Sequence, residues 1–264
     1  YEFDSVRSKY VVDNIDLETA SKIISELDED TRQIFLTNFE SAEIAKYLEI
    51  IDSDDGADIL SELSPEVRNE TILSISDKEK SKNLTDLLQY DDDVAGGLMA
   101  KELVKCNINW KINQCIDLIK KQAEKVSRIY SVYVTDNKGK LLGKVSLKDI
   151  IVASDNSRIK DIYDDYVISV DSKMNQEEVA IIMQKYDLDV LPVINKRGKL
   201  LGRITIDDVV DVITETAEEE RQIMSGITSD VEEDDSIWKL SNARLPWLVI
   251  GIFGGLFGAF FLGS

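Results

Sequence analysis

Carboxylates at helical spacing are the residues of this sequence best suited to chemistry. Between positions 207 and 221, acids recur at intervals of three or four and therefore share one face of a predicted helix: Asp208, Asp211, Glu215, Glu218 and Glu219. Like charges at these intervals destabilise a helix by about 0.2–0.5 kcal/mol per pair. Because carboxylate oxygens suit hard divalent cations, the pattern predicts either a cation partner or a well-solvated surface.

The segment that carries these acids also has an apolar stripe, formed by Val209, Val212, Ile213 and Ile223. The stripe indicates a real helix that packs on one side. Positions 207–235 contain twelve acids and one base, a net charge of −11. Since the stretch "SDVEEDDS" has no stripe, we expect the second half of this block to be a mobile link, or a spacer before an amphipathic helix that begins near Ser236.

A second acidic cluster lies in "LLQYDDDVAGGLMAKELV", residues 87–104, where Asp91, Asp92 and Asp93 precede two glycines. An ordinary linker can have the same composition, because Asp often caps a helix start and Gly often ends a helix.

Composition excludes several classes of function. The chain has 264 residues, 51 acids against 31 bases and a net charge of −20, which argues against a nucleic-acid partner. It has no histidine, which excludes histidine-based catalysis and zinc sites that use histidine. Neither a P-loop nor a nucleophile elbow is present, so we expect no enzyme. Cys106 and Cys115 are expected to be small buried residues in a reducing compartment.

Two internal repeats indicate the elements that position the acids. "VYVTDNKGKLLGKVSLKDI" (132–150) aligns without gaps on residues 191–209, with seven of nineteen positions identical. Each unit reads as helix, strand, glycine turn, strand and helix, so the two units should pack together. Further upstream, "IISELDEDTR" (23–32) recurs as "ILSELSPEVR" (59–68), with leucine and isoleucine spacings that predict short stacked helices in a superhelix.

The C-terminal stretch is uncharged and apolar over 16 residues, from Trp247 to Leu262. A membrane-spanning helix needs about 17–25 such residues, so we expect a span that is cut short or nearly complete. Pro246 suits its first turn, and the glycines allow close helix packing. A buried core helix is the alternative interpretation.

The repeated units resemble cystathionine-beta-synthase (CBS) domains over about residues 103–213, through "LPV", the glycine turn and a closing Ser/Thr-x-x-Asp. We refer to them as the first and second CBS-like units. The resemblance implies a tandem regulatory pair that binds an adenine nucleotide through the hydroxyl and carboxylate groups of Ser146, Asp149, Thr205 and Asp208. The same residue types at a strand-to-helix turn also fit plain helix caps.

The order of elements along the whole chain resembles the MgtE-type magnesium channels and transporters. "YDDDVAGGLM" is similar to the junction motif of that family, and "NARLPWLVIGIF" to the start of its first membrane helix. The resemblance implies a homodimer in the cell membrane, multi-pass in the full-length protein, with residues 1–245 cytoplasmic. It also implies that this cytoplasmic part senses Mg²⁺ and closes the pore when ions bridge acidic clusters of different domains.

The resemblance implies metal ligands residue by residue: Asp91, Asp93, Glu177, Asp187, Asp208, Asp211, Glu218 and Glu219. Asn175, Thr214 and Thr216 stand where that family tends to have acids, which puts some individual ion sites in doubt.

We therefore predict an α+β multidomain chain, in which a helical superhelix precedes a CBS pair, a connecting helix and a truncated transmembrane helix. The predicted segments are a superhelical domain (1–100), two CBS domains (101–163 and 164–217), an acidic connecting region (218–245) and the start of the first membrane helix (246–264). The expected function is magnesium sensing and gating, with Mg²⁺ and ATP as candidate ligands. Two alternatives stay open: an adenine-nucleotide-sensing CBS module of another membrane transporter, and an enzyme anchored by the C-terminal helix.

Overall fold

The computed structural model describes residues 5–123, 129, 131–154, 156–210, 212–214, 217, 245, 249–250 and 252–253. The chain divides into two compact parts, Tyr1–Asp208 and Val209–Ser264, which are described separately.

Seven short helices form the N-terminal region. They are α1 (Ser5–Val12), α2 (Leu17–Ser25), α3 (Glu29–Leu36), α4 (Ser41–Leu48), α5 (Ser53–Glu62), α6 (Pro65–Ser74) and α7 (Lys78–Leu87). Side chains of Asp16, Asp28, Ser64 and Asp77 accept hydrogen bonds from backbone N–H groups in the first turns of α2, α3, α6 and α7. Fully buried leucine and isoleucine side chains, among them Leu48 and Leu60, form the core between the helices.

The 36-residue repeat has a direct structural counterpart. Arg32, on α3, donates from Nη1 to the carbonyl of Ser25 at the end of α2 (2.9 Å). Its equivalent Arg68, on α6, donates from Nη2 to the carbonyl of Ser61 near the end of α5 (2.5 Å). Each arginine thus satisfies carbonyls that the end of a helix leaves without an intrahelical partner, which explains why arginine closes both copies of the motif.

The two CBS-like units have the same strand order. The first contains β1 (Val104–Asn107), α8 (Ile112–Ala123), β2 (Val132–Thr135), β3 (Leu141–Val145) and α9 (Leu147–Val152), and the second contains β4 (Val170–Asp171), α10 (Gln176–Tyr186), β5 (Val190–Ile194) and β6 (Leu200–Thr205). In each sheet the first pair of strands is parallel and the second antiparallel. The helical N-terminal region followed by this pair of α/β units confirms those two parts of the predicted fold class.

The two units meet through their glycine turns. Gly139 and Gly198 have φ angles of 78° and 75°, in the left-handed region that favours glycine. The Leu141 N–H donates to the carbonyl of Gly198 (2.9 Å), and the Leu200 N–H donates to that of Gly139 (3.0 Å). The predicted side-by-side packing of the repeats is therefore observed.

The acidic junction extends the second sheet instead of forming a free linker. The Ala95 N–H donates to the carbonyl of Met174 (2.7 Å), and Ala100 and Arg203 exchange both backbone hydrogen bonds (2.8 and 2.9 Å). A Cβ at Gly202 would lie 2.5 Å from the carbonyl oxygen of Ala100, so only glycine permits this close approach. The ordinary-linker interpretation of this segment is wrong.

The connecting region 218–245 and the membrane helix 246–264 fall almost entirely outside the described residues. Among the residues that are described, no helix has the length and apolar character required to cross a bilayer.

Candidate metal centre

An acidic cluster lies where the start of α5 meets the second CBS-like unit. Segment 52–58 contributes four aspartates, and Asp208 follows three residues after the end of β6. Asp54 is only 9% exposed, and its Oδ1 has no hydrogen-bond partner in the described part of the chain. The term interface cluster refers below to Asp54, Asp55, Asp58 and Asp208.

Burial and mutual repulsion raise the pKa values of the aspartates on α5. Burial, then the charge of Asp208, holds the pKa of Asp54 well above its usual range. The same two causes raise the pKa of Asp55 to about 6. Burial, followed by the charges of Asp55 and Asp92, raises the pKa of Asp58 to about 7. The side chains of Asp55 and Asp58 also have a solvent-exposed side, where water screens part of the repulsion.

Asp208 is held by two hydrogen bonds from one residue. Its Oδ2 accepts from the backbone N–H of Thr205 and from the Thr205 hydroxyl, both at 2.8 Å. Burial raises the pKa of Asp208, although these hydrogen bonds oppose the shift. The predicted Ser/Thr-x-x-Asp motif of the second unit is therefore locally satisfied, and the aspartates of α5 would repel a phosphate at this place.

The equivalent motif of the first unit is exposed. The Ser146 hydroxyl donates to Asp149 Oδ2 (2.6 Å) and accepts from the Asp149 backbone N–H (3.0 Å) at the start of α9. This geometry is that of a helix cap. Its exposure leaves the motif open to solvent.

Two of the predicted metal ligands lie in the junction. Asp91 and Asp93 are exposed, and the backbone carbonyl of Asp93 accepts from the Gln176 N–H (2.9 Å). The acid between them, Asp92, is the one whose charge acts on Asp58. The junction therefore contributes to the electrostatics of the interface cluster through a residue that the sequence did not single out as a ligand.

Two of the predicted ligands, Glu177 and Asp187, lie at opposite ends of α10. Glu177 is exposed, and its N–H donates to the side chain of Asn175 (2.8 Å), which caps α10. Capping explains why asparagine suits a position where an acid was expected. Asp187 ends α10 with a φ of 52° and is exposed. Asp211, Glu218 and Glu219 lie outside the described residues.

Sequence analysis missed the acids of α5. Four aspartates within seven residues, with Asp54 and Asp58 one helical turn apart, were an available signal. Among the described residues, no group of three acids or cysteines is arranged closely enough to hold a metal ion. The arrangement is thus a buried carboxylate, Asp54, whose Oδ1 has no hydrogen-bond partner among the described residues and which the charge of the half-buried Asp208 affects.

The chain's own cations neutralise two other acids at the same boundary. Arg203 Nη2 lies 3.0 Å from Asp52 Oδ2, and Lys80 Nζ lies 2.8 Å from Glu102 Oε1. Burial opposes ionisation of Glu102, but Lys80 and the hydrogen bonds from Ser53 together outweigh burial and lower the pKa of Glu102. None of the four acids of the interface cluster forms such an ion pair among the described residues, although the charge of Arg203 acts to lower the pKa of Asp208.

Comparison with known proteins gives matches to the helical N-terminal region and to both CBS-like units. The family model of the MgtE intracellular N domain matches residues 1–93, and that of the CBS domain matches residues 94–156 and 159–215. The chain is 37% identical to the magnesium transporter MgtE of Enterococcus faecalis over 67% of this chain and 39% of that protein. It is 28% identical to the magnesium transporter MgtE of Bacillus subtilis over 95% of this chain and 55% of that protein.

A solved structure agrees with these relatives. It is a crystal structure of the cytosolic domain of the Mg²⁺ channel MgtE in complex with ATP, with a TM-score of 0.73 and 30% identity. The match covers 80% of this chain and 86% of that one. The chain spans between about two fifths and just over half of the length of the curated relatives above.

Proposed function

Since the chain belongs to the MgtE family of magnesium transporters, we propose that it is the cytosolic, magnesium-sensing and gating part of a magnesium channel or transporter. One observation carries this proposal. The Asp54 carboxylate is buried without a hydrogen-bond partner for Oδ1 among the described residues, and the nearby charge that most affects it is Asp208. An isolated buried carboxylate is costly unless a proton or a cation compensates it.

Mg²⁺ supplies the required compensation. It is a hard cation that takes oxygen ligands, usually one or two carboxylates and several waters. Asp54 belongs to the helical domain and Asp208 to the second CBS-like unit, so an ion shared between them favours the closed arrangement of these domains. Without the ion the two carboxylates repel each other. Mg²⁺ then shifts the population of closed molecules in proportion to its higher affinity for that state.

The other acids predicted from the sequence belong to the same proposal. Asp91, Asp93, Glu177 and Asp187 are proposed as ligands of additional ions, as are Asp211, Glu218 and Glu219 of the acidic segment. The proposed role involves no catalytic step. The five predicted segments, with a membrane helix from residue 246 and residues 1–245 in the cytoplasm of a cell-membrane protein, are part of the proposal.

A Mg²⁺ titration of the chain tests this function. Amide hydrogen exchange in α5 and in the junction (88–103) should slow as Mg²⁺ rises to millimolar concentrations. Sodium chloride at equal ionic strength should slow it only weakly, because screening does not bridge two carboxylates. Exchange that responds equally to both salts would mean that the interface cluster is only a solvated acidic surface.

We also propose that the chain forms a homodimer. Exposed apolar side chains lie on helices of both CBS-like units: Ile151 and Val152 (76% and 72% exposed) at the end of α9, and Ile181 on α10. Apolar surface of this kind favours association with a second copy. Sedimentation at tens of micromolar should give twice the chain mass with and without Mg²⁺, and a monomer under both conditions would contradict the proposal.

Nucleotide binding is the second candidate function, favoured by the exposed Ser146–Asp149 motif and by the ATP in the related crystal structure. Asp149→Asn should weaken ATP binding by about tenfold, because it removes an anionic acceptor for a ribose hydroxyl. Thr205 and Asp208 form the equivalent proposed site, and Asp208→Asn should have less effect, because the acids of α5 already disfavour phosphate there. Calorimetric titration with ATP measures both variants. Equal ATP affinity of Asp149→Asn and wild type would leave the motif as a helix cap.

A further inference from the structure

We infer that Arg203 and Glu102 are positioning residues, which clamp the start of α5 onto the second CBS-like unit so that Asp54 faces Asp208. The inference rests on the proposed function, since it concerns the geometry of the proposed Mg²⁺ site. Neither residue is proposed to touch the ion.

Arg203 connects three parts of the chain from a buried position on β6, where it is 5% exposed. Its Nε donates to the carbonyl of Glu102 (2.7 Å), and its Nη2 donates to Asp52 Oδ2 (3.0 Å). Asp52 is the N-cap residue of α5, yet within the described structure its side chain makes no capping hydrogen bond. The carboxylate that normally caps a helix is thus committed to an ion pair between domains.

Glu102 takes over the capping function. Its Oε2 accepts from the backbone N–H of Ser53 (3.0 Å) and from the Ser53 hydroxyl (2.6 Å). The same hydroxyl accepts from the Lys101 N–H (2.7 Å). Ser53 is the first residue of α5, whose N–H has no intrahelical partner. The start of α5 is therefore capped by the junction segment and not by its own sequence.

The clamp lies close to both carboxylates of the proposed site. Asp52 and Asp54 are separated by one residue along the chain, as are Arg203 and Thr205, the residue that holds Asp208. Backbone hydrogen bonds between Ala100 and Arg203 fix the junction alongside β6. The relative placement of Asp54 and Asp208 is therefore determined by contacts that do not include the ion.

Charge explains why such a clamp is needed. Asp54 and Asp208 repel each other, so the site tends to open when it is empty. Arg203 and Lys80 bring two positive charges to the same boundary and bind Asp52 and Glu102. Lys80 Nζ also donates to the carbonyl of Ile51, just before α5. These cations hold the two domains close enough for a single hydrated ion to reach both carboxylates.

The test is the Mg²⁺ midpoint of amide protection in α5, measured on the chain carrying Arg203→Met. Methionine keeps most of the side-chain volume but removes both donors and the charge. We expect the midpoint to rise by about tenfold or more, because loss of one partner of a buried pair is strongly destabilising. Arg203→Lys keeps the charge but cannot donate to Glu102 and Asp52 in the same planar geometry. Its Mg²⁺ midpoint should therefore lie between those of wild type and Arg203→Met.

Two controls separate positioning from a general loss of stability. Arg197→Met removes the same charge from an exposed turn of the same unit and should leave the midpoint within about twofold of wild type. Asp52→Asn should raise the Mg²⁺ midpoint. The double variant with Arg203→Met should have the same midpoint as Arg203→Met alone, since both substitutions break the same Arg203–Asp52 contact. Additive effects of the two substitutions would contradict a shared clamp.

The outcomes distinguish this inference from the proposed function. Unchanged midpoints in Arg203→Met overturn the clamp while the magnesium function stands. If wild type itself shows no Mg²⁺-dependent protection, the proposed function fails. In that case, amide exchange measured in EDTA still tests whether Arg203 and Glu102 hold the start of α5. The amides of Ser53 and Lys101 should exchange faster in Arg203→Met and Arg203→Lys than in Arg197→Met, and equal rates would overturn it.

Discussion

Replacing both Asp54 and Asp208 with asparagine should abolish the Mg²⁺-dependent protection of α5 and stabilise the chain in the absence of Mg²⁺. Asparagine removes the two charges that repel each other and also the two anionic ligands that the ion needs. Because Asp54 is buried and Oδ1 has no partner among the described residues, the gain in EDTA should be about 1–3 kcal/mol. Amide exchange with and without Mg²⁺ measures the first effect, and chemical denaturation in EDTA measures the second.

A matched variant distinguishes the interface cluster from the general negative charge of the chain. Glu66→Gln with Asp117→Asn removes two exposed acids, one from the helical domain and one from the first CBS-like unit. It should keep the Mg²⁺ response of wild type and change stability by less than about 0.5 kcal/mol per site. A Mg²⁺ response that survives in the Asp54/Asp208 variant, or disappears equally in both variants, would contradict the assignment of the site.

In EDTA, the Mg²⁺-free chain should become more stable as the pH falls from about 8 to about 5.5, opposite to the usual effect of acid. Asp55 and Asp58 have pKa values of about 6 and about 7, above the ordinary 3.8, and burial and the charge of Asp208 also hold the pKa of Asp54 well above its usual range. The folded state therefore binds more protons than the unfolded state. Their stabilising contribution is complete below the ordinary carboxyl pKa and is lost as the pH rises through about 6 to 7.

Saturating Mg²⁺ should flatten this pH dependence, because the ion replaces the protons at the same carboxylates. Carboxyl groups with lowered pKa values, such as Asp28 and Glu43, affect stability in a different pH range. Their stabilising contribution is lost only at pH values below the ordinary carboxyl pKa. Thermal unfolding at pH 5.5, 6.5 and 7.5, with and without Mg²⁺, tests both statements. A melting temperature in EDTA that rises with pH over this range would show that the interface cluster is not protonated as described.

The sequence was sufficient to predict the helices and glycine turns of this protein, because local residue patterns determine them. Leucine and isoleucine spacing predicted the short helices, and the 36-residue repeat ended in arginines that satisfy carbonyls of preceding helices in both copies. Glycines in equivalent turns predicted the CBS pair, and both have the positive φ that requires glycine. The acidic character of the protein and its family resemblance also followed from residue order alone.

The sequence pointed to Asp208, but only the tertiary structure shows that Asp54 is buried and that the charge of Asp208 acts on it. Asp54 and Asp208 are distant in sequence, and "DSDDGAD" reads locally as a solvated helix start, so no local pattern predicts their approach. Likewise, "YDDDVAGGLM" resembles a linker until its backbone pairs with the second sheet. The physical reason is that a carboxylate's chemistry depends on burial and on charges brought near by folding. The residue types at each position were determined by the sequence, whereas the unpaired buried carboxylate at the boundary between two domains exists only in the folded chain.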